Sequence, residues 1–273
     1  MPFEVRTLAE WEGAGVPGTL SVVIPAHNEE ANIAGTVHHL VAALRAADIS
    51  YEILVVNDSS TDATERVLVS LSAADVGVRY VNNAPPNGFG LAVRRGLAEF
   101  RGEAAAIVMA DGSDDPADLI AFYRKLQSGY DCVFGSRFMQ GGRVHDYPTL
   151  KLILNRLANF MICALFLLRY NDVTNAFKLY RRSAIAGIQP LLSHHFNLTV
   201  ELPLKCIIRG YQYAVLPNSW KNRKAGVSKL RIKEMGSRYL FIILYCWLEH
   251  VLSRGDYRDQ QPFREGQLQV WHR

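Results

Sequence analysis

Through residue 135 the chain alternates short apolar, β-branched runs with helical stretches. This alternation restricts the fold to a mainly parallel sheet with helices on both faces. Residues 20–25 read as a buried strand stopped by Pro25. A helix is predicted over residues 28–47, with Glu29 and Glu30 at its positive N-terminus. Residues 51–57 form the second strand. Ser59, Ser60, Thr61 and Asp62 then supply capping side chains for a helix to about Leu71. Further strands are predicted at residues 78–81, 104–109 and 131–135. Helices lie around residues 91–100, after the Asn87-Gly88 turn, and from Pro116 onward. The expected class is α/β, Rossmann-like, with ligands bound beyond the C-terminal ends of the strands.

The later chain has a different pattern. Residues 150–168 read as a helix that is apolar almost all round. Lys151, Asn155 and Asn159 recur every four residues as one narrow polar stripe, joined by Arg156. Such a helix is either buried or laid against lipid. Residues 239–248 are uncharged, too few to span a bilayer, and flanked by Arg238 and Arg254. Each run alone reads as a core helix. Between Lys221 and Arg238, however, there are seven Lys/Arg and one acid, Glu234. A basic cluster of this kind suits a phosphate or an anionic membrane, or else is a solvated helix face. Together the three features predict a membrane-surface platform, peripheral on the cytoplasmic face. No uninterrupted run of 18 apolar residues is present, so no transmembrane helix is expected.

Bulk composition narrows the function. A net charge of +4 over 273 residues does not point to nucleic acid. The four cysteines form no C-x-x-C pair, so buried free thiols in a reducing compartment are expected. Glu4, Glu10 and Glu12, with no early apolar run, argue against a secretory signal. The expected organisation is an extension over residues 1–19, a catalytic domain over 20–230, and a C-terminal helix and tail over 231–273.

Polar residues gather where the predicted strands end. The first strand runs into Pro25-Ala26-His27-Asn28-Glu29, the second into Asn57-Asp58-Ser59-Ser60-Thr61-Asp62, and the fourth into Ala110-Asp111-Gly112-Ser113-Asp114-Asp115-Pro116. Capping accounts for Asp62 and part of Asp114 and Asp115. It does not account for three such ends on one sheet edge. A hard divalent cation, Mg²⁺ or Mn²⁺, joining carboxylates to substrate phosphates does. No G-x-G-x-x-G follows the first strand, which argues against a dinucleotide oxidoreductase.

These motifs resemble those of family-2 glycosyltransferases with the GT-A fold. They are Val23-Ile-Pro-Ala-His-Asn-Glu29, Val55-Val-Asn-Asp-Ser-Ser-Thr-Asp62, Met109-Ala-Asp-Gly-Ser-Asp-Asp-Pro116 and Gly135-Ser-Arg-Phe-Met-Gln-Gly-Gly142. Asp172-Val-Thr-Asn-Ala-Phe-Lys-Leu-Tyr180 and Trp220-Lys-Asn-Arg-Lys-Ala-Gly-Val-Ser-Lys229 are similar to the branch of dolichol-phosphate mannose synthases and polyprenyl-phosphate glycosyltransferases. The resemblance spans about residues 20–230. It implies an inverting transfer of a hexose from a GDP- or UDP-linked donor to a lipid phosphate.

By the same resemblance, Pro25, His27, Glu29 and Asp58 line the nucleoside pocket. Asp111 is the second acid of a D-x-D motif and binds the metal, with Ser113 as a neutral ligand and Asp114 as a substitute acid. Arg223, Ser228 and Lys229 belong to a basic loop over the donor phosphates. Arg137, Lys151 and Asn155 receive the acceptor phosphate. Three positions depart from the pattern: Met109 replaces the first acid, Lys178 stands where many relatives carry Arg, and Lys151 also replaces Arg. A phosphate acceptor needs no general base, whereas a hydroxyl acceptor does. Glu201 is the candidate base, its other reading being an ion pair with Lys205. Two further functions are compatible with the same motifs: transfer by this fold to a non-lipid acceptor, and non-catalytic binding of a nucleotide sugar.

Overall fold

Apolar strands buried on both faces assemble the sheet in this computed structural model, which describes residues 15–221 and 232–258. Strand β1 (Val16–Ala26) lies at the centre, parallel to β2 (Ser50–Asn57) on one side and to β4 (Gly102–Ile107) on the other. Strand β3 (Val78–Asn82) pairs parallel with β2. The five predicted strands are all present, β5 being Cys132–Ser136. Two more complete the sheet: β7 (Lys178–Arg181) is antiparallel to both β4 and β5, and β8 (Tyr213–Pro217) is parallel to β5. The order of the seven strands is β3-β2-β1-β4-β7-β5-β8. A second, two-stranded sheet joins β6 (Arg143–His145) to β9 (Ser219–Lys221).

Alternate side chains of the strands feed two cores. On one face Val22, Ile24, Ile53 and Val55 pack against α1 (Ile33–Ala46), α2 (Thr64–Ala74) and α4 (Pro116–Gln127). On the other, Val23, Leu54 and Val56 meet α3 (Phe89–Glu99), and the same cluster extends to α5 (Thr149–Phe166), α6 (Arg182–Gly187), α7 (Leu198–Ile208) and α8 (Ile232–Leu252). Each buried aliphatic side chain contributes about 1.5–3 kcal/mol. Helix α3 approaches β1 at Gly96, where a Cβ would stand 2.3 Å from Val23 Cγ1.

One predicted helix start is corrected. Helix α1 begins at Ile33 rather than Asn28, because Asn28 has φ +53° and its Oδ1 accepts from Thr61 N at 2.7 Å. Glu29 and Glu30 therefore precede the first turn. Their backbone N–H groups donate to Thr64 Oγ1 and Asp62 Oδ2. Helix α2 begins at Thr64, just after the capping cluster, and Asp62 Oδ1 accepts from Thr64 N at 3.0 Å. The polar side chains at 57–62 thus lock two loops together at the sheet edge.

The two apolar helices pack together through Phe166 and His250, with ring centroids 6.3 Å apart. Neither is a core helix. Along α5 the side chains of Leu150, Ile153, Leu157, Phe160 and Met161 are more than half exposed. Leu240, Phe241, Val251 and Leu252 are equally exposed on α8. Moreover, α5 is long and apolar enough to cross a membrane by length and composition, contrary to the sequence expectation. Lys151 and Arg156 interrupt its apolar run without making the 18-residue helix polar.

Glu201, the candidate base, is a structural residue. Its carboxylate is fully buried, 2.9 Å from Lys205 Nζ, and accepts from the N–H groups of Leu192 and Ser193, each at 2.7 Å. Lys205 also donates to Pro190 O. Glu201→Ala would strand a buried ammonium and two backbone donors. We predict a loss of about 3–5 kcal/mol in chemical denaturation, the range for breaking one side of a buried pair.

Candidate active site at the strand ends

The strand termini converge as the parallel topology requires, and each brings a polar loop. Pro25 is buried within β1, opposite Val56. His27 Nδ1 lies 2.7 Å from Asp58 O, joining the ends of β1 and β2. The buried Asp58 carboxylate accepts from Asn83 Nδ2 and Gly88 N, both at 2.8 Å. It fixes the loop that opens α3. Glu29 Oε2 accepts from Asn32 Nδ2 at 2.9 Å. These four residues therefore share one edge, and their hydrogen bonds set the loop positions there.

Beyond β4 the chain folds into a tight acidic loop. Gly112 has φ +69°, a conformation that strains any residue with a Cβ. Asp111 Oδ1 accepts from Ser113 N at 3.1 Å, and Asp114 Oδ2 accepts from Met109 N at 2.9 Å. Burial pushes the Asp114 carboxyl up to about 7, and Asp111 and Asp118 act in the same direction. Asp115 caps α4, accepting from Ala117 N at 2.9 Å. Ser113 Oγ is buried and without a hydrogen-bond partner among the described residues.

That loop fits a hard cation in one respect and falls short in another. Clustered carboxyls beside an orphaned hydroxyl are oxygen donors suited to Mg²⁺ or Mn²⁺. No group of three or more His, Cys, Asp or Glu able to hold a metal exists among the described residues. A cation at Asp111, Ser113 and Asp114 would therefore need ligand oxygens from the substrate phosphates.

The acidic loop is tied to the start of the basic segment. Lys221 N donates to Ser113 O at 3.1 Å, and Asp114 forms an isolated antiparallel bridge with Trp220. Ser219 N donates to Asp118 Oδ2 at 2.7 Å. The chain thus leaves the acidic loop at Lys221. Arg223, Ser228 and Lys229 lie outside the described residues.

At the end of β5 Arg137 is buried and held by Asp172. Its Nε and one Nη each donate at 2.8 Å, and its backbone N–H donates at 2.9 Å. Burial opposes the guanidinium charge, but the Asp172 carboxylate outweighs it and raises the Arg137 pKa. The guanidinium also lies 5.2 Å from the Phe138 ring centroid and 5.7 Å from that of Tyr147. Tyr147 in turn packs against Trp220 at 4.9 Å, linking Arg137 to the acidic loop. Lys178 Nζ is buried and donates to the carbonyls of Val173, Asn175 and Thr199. Burial lowers its pKa to about 7, despite the nearby Asp172.

The polar stripe of α5 faces this cluster. Asn155 Nδ2 donates to Thr174 Oγ1 at 2.8 Å, and Asn159 Oδ1 accepts from Thr174 N at 3.1 Å. Asn155 and Asn159 thus fasten α5 to the loop before β7, while half-buried Lys151 lies one turn nearer the helix start. The Arg137–Asp172 pair and the tie between Asn175 and Asn218 were not anticipated. Asn175 Nδ2 donates to Gly135 O and Asn218 Oδ1, both at 3.0 Å. The acid in the Asp172 motif was the available signal for a partner to Arg137.

Known proteins are similar to this chain in sequence and in fold. A polyprenol monophosphomannose synthase of Mycolicibacterium smegmatis is 30% identical over 218 residues, covering 77% of this chain and 80% of that protein. A dolichol-phosphate mannosyltransferase of Pyrococcus furiosus is 27% identical, over 78% of this chain and 60% of that protein. Among solved structures, glucosyl-3-phosphoglycerate synthase from Mycobacterium tuberculosis, in complex with Mn²⁺, uridine diphosphate and phosphoglyceric acid, superimposes with a TM-score of 0.64. It is 20% identical and matches 88% of this chain and 82% of its own, which shows a common GT-A fold. Residues 21–188 match the family described as Glycosyl transferase family 2, and the chain belongs to that family of glycosyltransferases.

Proposed function

We propose that the protein transfers a hexose, with inversion, from a GDP- or UDP-linked donor to a polyprenyl phosphate at the cytoplasmic face of a membrane. The observation that carries this reading is the adjacency of three features. The acidic loop after β4, the Arg137 cluster after β5 and the exposed apolar helix α5 are joined by the Tyr147–Trp220 contact and the Asn155–Thr174 bond. The names of the similar mannose synthases support the choice of acceptor. The buried, paired Glu201 weighs against a hydroxyl acceptor that would use it as base.

The chemistry follows from charge. Departure of a nucleoside diphosphate builds negative charge on its phosphates. A divalent cation bound there would neutralise part of it. Asp111 and Ser113 would hold that cation from the protein side, with Asp114 shaping the loop beneath them. Arg223 and Lys229 would neutralise charge from the other side, beside Ser228. Pro25, His27, Glu29 and Asp58 would shape the nucleoside end. Arg137 would orient the acceptor phosphate with the guanidinium edge turned away from Asp172, assisted by Lys151. Asn155 would hold the helix carrying Lys151 in register. An ionised phosphate then attacks the anomeric carbon without a general base.

Four measurements test this reading. Asp111→Asn keeps the side-chain volume and removes one charge. Transfer should fall by ~10²-fold or more, typical of a main electrostatic element, with an unchanged circular dichroism spectrum. Near-normal turnover at limiting Mn²⁺ would sink the metal assignment. A thermal-shift screen of GDP- and UDP-sugars should show stabilisation by one nucleotide class, enhanced by Mn²⁺, because binding to the native state raises stability by mass action. Flotation with anionic liposomes should capture the protein, with partial release in salt and fuller release in detergent. Lys151→Glu should impair transfer to polyprenyl phosphate and spare donor binding; a silent Lys151→Glu together with a protein that stays in solution would remove the lipid acceptor.

A further inference from the structure

A second polar pocket lies apart from the acidic loop, between the segment preceding α7 and the first turns of α8. Its volume is about 480 Å³, within the range of small-molecule sites. Ser193, His194, His195 and Asn197 line one side, and Arg238 and Phe241 line the other.

The walls are held rigidly. Leu91 N donates to His194 O at 3.2 Å, and Phe89 stacks on Phe196 with centroids 4.3 Å apart. Gly90 admits this approach, since a Cβ there would lie 2.7 Å from His195 N. On the far side Tyr239 Oη donates to Phe196 O at 3.1 Å. Within this frame two polar atoms have no hydrogen-bond partner among the described residues, Ser193 Oγ and Asn197 Oδ1. Their residues are only 2% and 5% exposed. Leaving buried polar groups unmatched is costly, so a pocket that keeps two of them is built for a ligand that supplies partners.

The chemistry of the lining selects that ligand. Arg238, with the imidazoles of His194 and His195, favours an anion. Asn197 Oδ1 can only accept, so it requires a donor that the dianion of a simple phosphate monoester lacks. The Ser193 hydroxyl can serve either group. A phosphate carrying a polyol meets all three. Phe241 connects the pocket to an exposed apolar row on α8 with Leu240, Leu244 and Leu248. That continuity puts the polar pocket at headgroup level if the row enters lipid. We propose that this pocket binds the headgroup of an anionic, polyol-bearing phospholipid such as phosphatidylglycerol, separately from the acceptor phosphate. The lipid as the source rests on the membrane-surface reading above.

The test separates the pocket from the membrane. Glycerol 3-phosphate, titrated into the full chain by calorimetry, should bind about tenfold more tightly than methyl phosphate, whose dianion carries no O–H donor, the gain of one further hydrogen-bonded group. Ser193→Ala should weaken it roughly 5- to 10-fold while leaving the melting temperature equal or higher, because the variant deletes an unmatched hydroxyl. Arg238→Ala should weaken it as well, whereas Lys151→Glu, on the acceptor side, should not. Vesicles of phosphatidylcholine with phosphatidylglycerol should capture wild type better than those with an equal fraction of phosphatidylserine, and Ser193→Ala should lose that preference. If glycerol 3-phosphate binds no better than methyl phosphate and Ser193→Ala is silent, the pocket is not a headgroup site. Equal capture by both anionic vesicles, unaffected by Ser193→Ala, also overturns the proposal while leaving membrane attachment intact. Glycerol 3-phosphate binding without capture by any vesicle overturns the lipid source and the membrane reading together.

Discussion

The buried pair of Arg137 and Asp172 is the interaction on which the acceptor side of the molecule depends. Asp172 is fully buried and accepts three hydrogen bonds from one residue, two from the guanidinium and one from the backbone. Taking both charges out of water is expensive, and good bidentate geometry with additional hydrogen bonds offsets the cost. This pair has both the bidentate contact and a backbone donor. It ties the end of β5 to the loop that turns into β7, so β7 can enter between β4 and β5 in the reverse direction. Lys178, at the start of β7, binds three carbonyls from the same loop and from α7. Asn175 closes the arrangement against Asn218 at the end of β8. Without Asp172, Arg137 and Lys178 would both be buried at the reversed strand with no compensating anion.

The same anchoring accounts for the exposed helices. Asn155 and Asn159 fasten α5 to Thr174, which follows Asp172 in that loop. Arg209 fastens α8 to α7 through Glu249, at 2.7 Å. Polar latches at a few points, with only Ile162 and Phe166 of α5 and Ile242 and Cys246 of α8 buried among the described apolar residues, leave long apolar rows facing outward. A core helix would be fixed by its apolar face instead. Contiguous exposed rows on two neighbouring helices exceed the scattered apolar residues normal for a protein surface, and they mark an interaction face.

Much of this was legible from the residues. The parallel strands are buried on both sides, so they stand out as β-branched apolar runs between capping and turn residues. The three polar strand ends were legible for the same reason. Strand β7 was not, since it is only four residues long and begins and ends with Lys178 and Arg181, which read as solvated. Its burial depends on charges supplied from Asp172 and on carbonyls from elsewhere in the chain. The start of α1 was misplaced because Asn28 adopts a left-handed conformation, held by a hydrogen bond from Thr61 in the neighbouring loop. Such bonds link residues about thirty positions apart and leave no local periodicity. The stripe on α5 was visible, but its use as a latch required the partner Thr174.

Met109 changes how the acidic loop can work. A side-chain carboxylate at that position would add a charge at the end of β4. Methionine contributes only its backbone N–H, which Asp114 uses to close the loop. Burial raises the Asp114 carboxyl to about 7 and so opposes its ionisation. Two side-chain carboxyls, one of them buried, and a neutral hydroxyl are a weak site for a strongly hydrated divalent ion. The donor diphosphate would have to supply the remaining negative oxygens. Cation and donor would then bind as a coupled pair, each raising the affinity of the other by the same factor.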